Sequence, residues 1–226
     1  MKLYVVATPL GNLSDITLRA LDVLTSVDVI FAEDTRRTSK LLAHFNIKKS
    51  LFTLNEHTPI EKVAFFLEKF SQNSSCALVT DAGTPGISDP GGKFIDYMYG
   101  QKNTEVVPIP GPSAVTSALS IAGFSASSFS FFGYPPKKNK RASFFKALVE
   151  SHQTFVFFST PHGILKDLYD LQKNGFNTMR RLCVIREMTK VFETIYRGTL
   201  AEILCMVHAT ALKGEFTVVA ETQKVF

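Results

Sequence analysis

The 226-residue chain has only three cysteines, Cys76, Cys183 and Cys205, widely separated and without a C-x-x-C pair. That argues against a disulfide framework or a thiolate metal site. Apolar neighbours around each predict buried free thiols in a reducing compartment, the cytoplasm. The five histidines (His44, His57, His152, His162, His208) show no ligand spacing, so no metal is expected. No apolar run approaches the ~20 residues that a membrane-spanning helix needs. The apolar start, Met1 to Leu13, is broken by Pro9, Gly11 and Asn12 and lacks a small-residue cleavage site, which predicts a buried first strand instead of a secretion signal. A G-x-x-x-x-G-K-[ST] loop is missing, and so is a G-x-G-x-x-G turn after the first strand. These absences exclude a Walker-type triphosphatase and argue against a standard dinucleotide site. There is no internal repeat and no low-complexity tract.

What is present is an ordinary globular composition, 45% hydrophobic and 20% charged, with a mean hydropathy of +0.10. The net charge of +5 is compatible with a polyanionic partner without requiring one. Short β-branched or aromatic runs alternate with segments of helical period, the pattern of an α/β fold. Strands are predicted at Leu3–Thr8, Asp28–Glu33, Leu51–Leu54, Cys76–Thr80 and Val106–Ile109, a mainly parallel five-stranded sheet with helical crossovers. Ser14 or Asp15 is expected to cap a helix through Leu24, and Ile60–Phe70 places Val63, Phe66, Leu67 and Phe70 on one helical face. The second half predicts strands at Phe129–Phe132, Phe155–Ser159, Leu182–Arg186, Glu193–Arg197 and Glu215–Ala220. The link from Arg186 to Glu193 is too short for a helical crossover, so an antiparallel hairpin and a mixed sheet follow. Two small α/β domains are expected, residues 1–112 and 113–226.

Turn residues and charges gather behind the first five strands. They form Thr8-Pro9-Leu10-Gly11-Asn12, Glu33-Asp34-Thr35-Arg36-Arg37, Asn55-Glu56-His57, the twelve-residue run Asp81 to Gly92, and Pro110-Gly111-Pro112-Ser113-Ala114. Loops collect such residues for turning alone. A loop with four glycines among several acceptor side chains asks for more, and open α/β sheets bind ligands at the carboxyl ends of their strands. A ligand site is expected at this edge, with Glu33 where an acidic ribose partner would stand.

At these loops the chain resembles a known family. Leu3 to Leu21, Ala32-Glu33-Asp34-Thr35-Arg36, Asp81-Ala82-Gly83-Thr84-Pro85 with Ser88-Asp89-Pro90-Gly91, and Pro108 to Ala114 are similar, in order, to signatures of bacterial small-subunit (16S) rRNA cytidine 2′-O-ribose methyltransferases of the tetrapyrrole methylase superfamily. Arg186-Glu187-Met188-Thr189-Lys190, Arg197-Gly198-Thr199 and Lys213-Gly214-Glu215 resemble the later ones. The resemblance implies the tetrapyrrole methylase fold, with S-adenosylmethionine in the cleft between the domains, a homodimer, and 16S rRNA or the 30S subunit as partner. It assigns Pro9, Asp81, Gly83, Thr84, Ile87 and Ser113 to the cofactor from the first domain, and Phe158, Glu215 and Phe216 from the second. The family usually reads Tyr-Glu-Ser-Pro-His-Arg where this chain has Phe158-Ser159-Thr160-Pro161-His162-Gly163, so a carboxylate and a guanidinium are missing there. Typical relatives also continue beyond Lys213-Gly214-Glu215 into a small helical segment.

Methyl transfer from a sulfonium is an in-line displacement, and a ribose hydroxyl needs a nearby base or cation. Asp34 and Glu187 are the candidate proton acceptors. Arg36 and Lys190 are candidates to hold a phosphate or polarise the hydroxyl. The competing reading of these four is an ion-pair network spanning the two domains. Lys137, Lys138, Lys140, Arg141 and Lys146 form a basic stretch suited to RNA phosphates. Two other functions stay open: a tetrapyrrole or other small-molecule methyltransferase on the same fold, and a non-catalytic RNA- and cofactor-binding ribosome factor.

Overall fold

The computed structural model describes residues 1–71, 73–210 and 212–222; the end of the second expected domain, residues 223–226, lies outside them. The chain divides into two compact units, Met1–Ser113 and the part from Ala114 onward.

The first unit is a five-stranded sheet of β1 (Lys2–Val6), β2 (Val29–Ala32), β3 (Ser50–Thr53), β4 (Ser75–Val79) and β5 (Glu105–Ile109), all parallel, in the order β3-β2-β4-β1-β5. Strand periodicity sorts its side chains. Ile30 and Ala32 of β2 join one core with Ala20, Val23 and Leu24 of α1 (Leu18–Ser26) and Leu42 of α2 (Thr35–His44). Val29 and Phe31 join the opposite core with Val63 and Leu67 of α3 (Ile60–Leu67) and Phe94 and Met98 of α4 (Gly92–Tyr99). Phe31 is fully buried, its ring centroid 4.7 Å from that of Phe94 and 5.4 Å from that of Phe52. Burial of one such side chain contributes about 1.5–3 kcal/mol. The expected cap of the first helix is corrected: Thr17 caps α1, accepting from the Ala20 amide at 3.1 Å, while Ser14 and Asp15 lie in a short 3-10 turn, Leu13–Asp15, that Asn12 caps. A β-region Thr with a free hydroxyl directly before the apolar period outcompetes the earlier Ser and Asp.

The second unit opens with α5 (Ala114–Ala122) and continues through β6 (Phe129–Phe131), α6 (Arg141–Glu150), β7 (Thr154–Ser159), α7 (Ile164–Lys173), β8 (Arg181–Arg186), β9 (Thr194–Thr199), α8 (Leu200–His208) and β10 (Phe216–Ala220). Its sheet runs β6-β7-β10-β8-β9. Only the β6–β7 pair is parallel, and β8–β9 is the antiparallel hairpin that the short link requires. Phe155, Phe157, Phe216 and Val218 face the core built with α6, α7 and α8, whereas Val156, Cys183 and Val219 face α5. The Thr199 hydroxyl and Glu202 form a reciprocal capping box that starts α8. Cys76 and Cys183 are buried and their thiols pushed upward by burial, Cys76 to about 12. Cys205 departs from the expectation and is exposed, because it falls on the outer face of α8 whose inner face carries Ile203, Leu204 and Val207. Among the described residues no helix is long and apolar enough to cross a membrane, and no cluster of metal-binding side chains occurs.

Candidate functional site

In the first unit the loops behind β1, β4 and β5 are laced together. Thr8 and Gly83 exchange both backbone hydrogen bonds at 2.9 Å, and the Thr8 hydroxyl donates to the Thr80 carbonyl at 3.1 Å. The Thr84 hydroxyl donates to the Pro112 carbonyl at 3.2 Å. Gly83 holds φ +81°, which favours glycine, and Gly86, Ser88 and Gly91 are also left-handed. Pro9 and Gly83 are buried, and Ile87 is 45% exposed. Ser113 directly precedes α5. The Thr80 hydroxyl oxygen is buried without a partner among the described residues, an orphan donor at the end of β4 that a bound ligand would satisfy.

Next to these loops a charged network sits behind β2. Asp34 caps α2, accepting from the Arg36 amide at 2.9 Å, and takes the Arg36 guanidinium in a bidentate pair at 3.0 and 2.7 Å. Hydrogen bonds from Arg36 hold the Asp34 carboxyl well below the ordinary range. Arg36 itself is 86% exposed. Asp81 accepts from the Asp34 amide at 3.2 Å and pairs with Arg37 at 3.3 Å. Glu33 accepts from the Asp81 amide at 3.3 Å, and partial burial pushes its carboxyl above the ordinary value with Asp81 and Asp34 adding to the rise. Glu33, expected where an acidic ribose partner would stand, is part of a three-carboxylate cluster, which is a tertiary property.

The second unit has its own network. Lys190 donates to Glu187 at 3.0 Å and to Glu215 at 2.9 Å, and the Glu215 amide donates to Glu187 at 2.9 Å. Burial pulls the Glu187 carboxyl upward, but the Glu215 amide and Lys190 outweigh it and leave it below the ordinary value. Burial pulls Lys190 down, and its two carboxylate partners outweigh that and raise it. The hairpin turn is unusual: Glu187 and Thr189 have φ +50° and +64°, a costly region for a β-branched residue. A Cβ on Gly214 would lie 2.2 Å from Glu187 Cδ, so only glycine lets this backbone approach the carboxylate. The four catalytic candidates are thus ion-paired within each unit, Asp34 with Arg36 and Glu187 with Lys190. Phe158 is half-buried, its centroid 4.9 Å from Phe131 and 5.4 Å from Tyr134. Phe216 is 2% exposed, sits in a strand paired on both sides and packs in the core on the other sheet face, so its ring does not share the face of Phe158.

Beside Pro161, α6 and α7 supply a charged pair. Asp167, one helical turn past Gly163, accepts from the Ser159 hydroxyl and from Arg141 at 2.5 Å, and Arg141 also reaches Asp170 at 2.6 Å. Arg141 therefore leaves the expected basic stretch for a buried pair. Lys137, Lys138 and Lys140 stay exposed, and Lys146 lies 3.8 Å from Glu150.

Comparison with known proteins decides the family. The profile of Tetrapyrrole (Corrin/Porphyrin) Methylases matches residues 2–204. The chain belongs to this family. A ribosomal RNA small subunit methyltransferase I of Vibrio cholerae is 46% identical over 203 residues, 89% of this chain and 70% of the relative. The protein of the same name from Thermotoga maritima is 39% identical over 218 residues, 96% of this chain and 97% of its own. In fold the chain is similar to a solved cobalt-precorrin-4 methyltransferase of cobalamin biosynthesis, with a TM-score of 0.70 at 17% identity, covering 97% of this chain and 94% of the other. Uroporphyrin-III-C-methyltransferase of Thermus thermophilus gives 0.63 at 19%, covering 96% and 93%. The methylase is accordingly an S-adenosylmethionine-dependent methyltransferase. Its first unit offers what that cofactor needs: left-handed glycines whose amides suit a carboxylate, a Thr80 hydroxyl buried without a partner among the described residues, carboxylates for hydroxyls and an ammonium, and an exposed apolar residue at Ile87.

Proposed function

We propose that the methylase modifies the ribose 2′-oxygen of a cytidine in 16S rRNA of the small ribosomal subunit. It would work in the cytoplasm as a homodimer of two-domain chains, with residues 1–112 and 113–226 as the domains. The observation that carries this reading is the cation–carboxylate pair of Asp34 and Arg36 behind β2, beside the glycine-rich loop, in a chain whose relatives bear rRNA methyltransferase names. Pro9, Asp81, Gly83, Thr84, Ile87 and Ser113 would hold S-adenosylmethionine from the first unit. Phe158 and Glu215 would do so from the second. When bound, the cofactor supplies a methyl group on a sulfonium.

The chain's own residues then have to align a hydroxyl and receive its proton. Asp34 and Glu187 are held ionised at neutral pH, so each is in the accepting form. Arg36, fixed by Asp34 yet exposed, is placed to hold a phosphate beside the reacting ribose. Lys190, clamped between two carboxylates, would orient Glu187 and Glu215. Lys137, Lys138 and Lys140 would add phosphate contacts that position without reading sequence.

The test is transfer of radiolabelled methyl from S-adenosylmethionine to 30S subunits, with free 16S rRNA and a porphyrin-type compound as comparisons, followed by nuclease mapping. Label on one ribose 2′-oxygen is expected. Label on the porphyrin-type compound alone would replace the RNA reading with a small-molecule one. Cofactor binding without any label would make the protein a non-catalytic factor.

A further inference from the structure

The sheet order sets out the edge of the first unit as a series. Loops behind β5, β1 and β4 carry the residues proposed for the cofactor, the loop behind β2 carries Asp34 and Arg36, and β3 comes last. Between the loop behind β3 and the end of the β4–α4 loop lies a cavity of about 230 Å³ that none of these roles uses. Its walls are apolar, from Leu54, Ile60, Val63, Pro90 and Phe94. Its polar lining includes Asn55, Glu56, Asp89 and Lys93. We infer that this cavity receives an amino-bearing pyrimidine base turned out of the RNA strand, and that Glu56 reads its exocyclic amine. The inference rests on the reading of the substrate as RNA.

Size and chemistry both select this ligand. The volume is below that of drug-sized pockets, which suits one flat ring and not a longer stretch of nucleotide. Apolar walls with a few polar groups are what a base lifted from its stack needs, its faces against side chains and its edge hydrogen-bonded. Asn55 is fixed by its own loop, its Oδ1 accepting from the His57 amide and the Thr58 hydroxyl at 3.1 Å each. That leaves its amide nitrogen to donate to a ring nitrogen or carbonyl. Asp89 is engaged within the fold. Glu56 is exposed and pairs with nothing among the described residues, so its carboxylate is open to accept. A carboxylate accepts from the amino group of cytosine and repels the carbonyl that uracil has in its place. Two carboxylates at the cavity also disfavour a bare phosphate as its occupant. Lys93, at the start of α4, suits a phosphate flanking the ring.

The test measures equilibrium binding of fluorescein-labelled oligo(C) and oligo(U) RNA to the full chain, saturated with S-adenosylhomocysteine, alongside the 30S labelling assay. The wild type should prefer oligo(C) about tenfold. Glu56→Gln should bring the ratio towards one, and Glu56→Asp should keep part of it. Lys138→Gln should weaken both oligomers alike and leave the ratio intact, since phosphate contacts carry no base preference. A ratio that Glu56→Gln leaves unchanged overturns the pocket, whether or not 30S subunits are labelled. A ratio that collapses while no RNA is labelled supports the pocket and sinks the methylation reading instead.

Discussion

The two units build charged networks from the same parts, carboxylates, a cation and a left-handed glycine, but they assemble them by different means. In the first unit all strands run one way, so each network member sits at the start of a loop, and Glu33, Asp34 and Asp81 meet because β2 and β4 are neighbours. In the second, antiparallel pairing of β8 with β10 sets Arg186 opposite Phe216, which brings Glu187 to Glu215 across the sheet. The first network keeps its cations in solvent over half-buried carboxylates, whereas the second unit also holds a charge pair inside its fold. Exposed networks leave cations available to a substrate. Buried ones hold helices in place.

The contrast is tested most strongly at Arg141. Its side chain is 15% exposed and that of its partner Asp167 only 3%. Burial pushes the Asp167 carboxyl upward even though Ser159 and Arg141 stabilise its ionised form. Arg141→Met strands that carboxylate and should cost about 3–5 kcal/mol, read by urea unfolding at neutral pH. Arg37→Met in the first unit, where the cation itself is 66% exposed, should cost less than about 1 kcal/mol. Similar losses for the two would abolish the distinction between an open and a buried network.

The glycines give the next largest effect. Gly214→Ala combines φ +87° with a Cβ 2.2 Å from Glu187 Cδ, so the carboxylate must leave its place; the expected cost is about 3 kcal/mol. Gly83→Ala has a similar φ, but its nearest neighbour is the Leu10 Cδ2 methyl at 3.3 Å, which can turn away; about 1–2 kcal/mol is expected. Thermal unfolding of the two variants ranks them. A larger cost at Gly83 would mean that the loop lacing of the first unit, and not the approach to Glu187, is the more constrained feature.

The same difference explains what the sequence disclosed. A parallel sheet writes its site as a string of strand-then-loop segments, so Thr8 to Asn12, Glu33 to Arg37 and Asp81 to Gly92 read as one edge from their order alone. The hairpin of the second unit was legible because the link from Arg186 to Glu193 is too short for a helical crossover, and Lys190 could be singled out as a candidate. Its dual pairing with Glu187 and Glu215 depends on strand register, which residue types alone do not set. Arg141 was misplaced for a related reason. A cation in a lysine-rich stretch reads as solvated until α7 puts Asp167 and Asp170 against it. Phe216 looked like a cofactor wall, but strand alternation turns its ring into the core, away from the face that Phe158 occupies.

Glu33 gives the smallest effect and the one tied to pH. Its folded-state carboxyl lies above the ordinary value, chiefly through burial, with Asp81 and Asp34 adding to it and the Asp81 amide and Arg37 opposing it. A raised acid favours folding below its unfolded value, about 4.3, and that contribution is lost as pH rises through the folded value. At neutral pH the ionised side chain is therefore a liability. Glu33→Gln removes it while a side-chain oxygen remains to accept from the Asp81 amide. The variant should melt above the wild type at pH 7, with the gap closing towards pH 4. Asp34 has the opposite sign, since Arg36 holds it low, so its contribution is present at neutral pH and fades on acidification. Between pH 4 and 7 Glu33→Gln should gain on the wild type as pH rises, whereas Asp34→Asn should keep a steady deficit there and lose it only below its unfolded value, about 3.9. Parallel curves would mean that the three carboxylates titrate as one unit and that the division of roles between Glu33 and Asp34 is wrong.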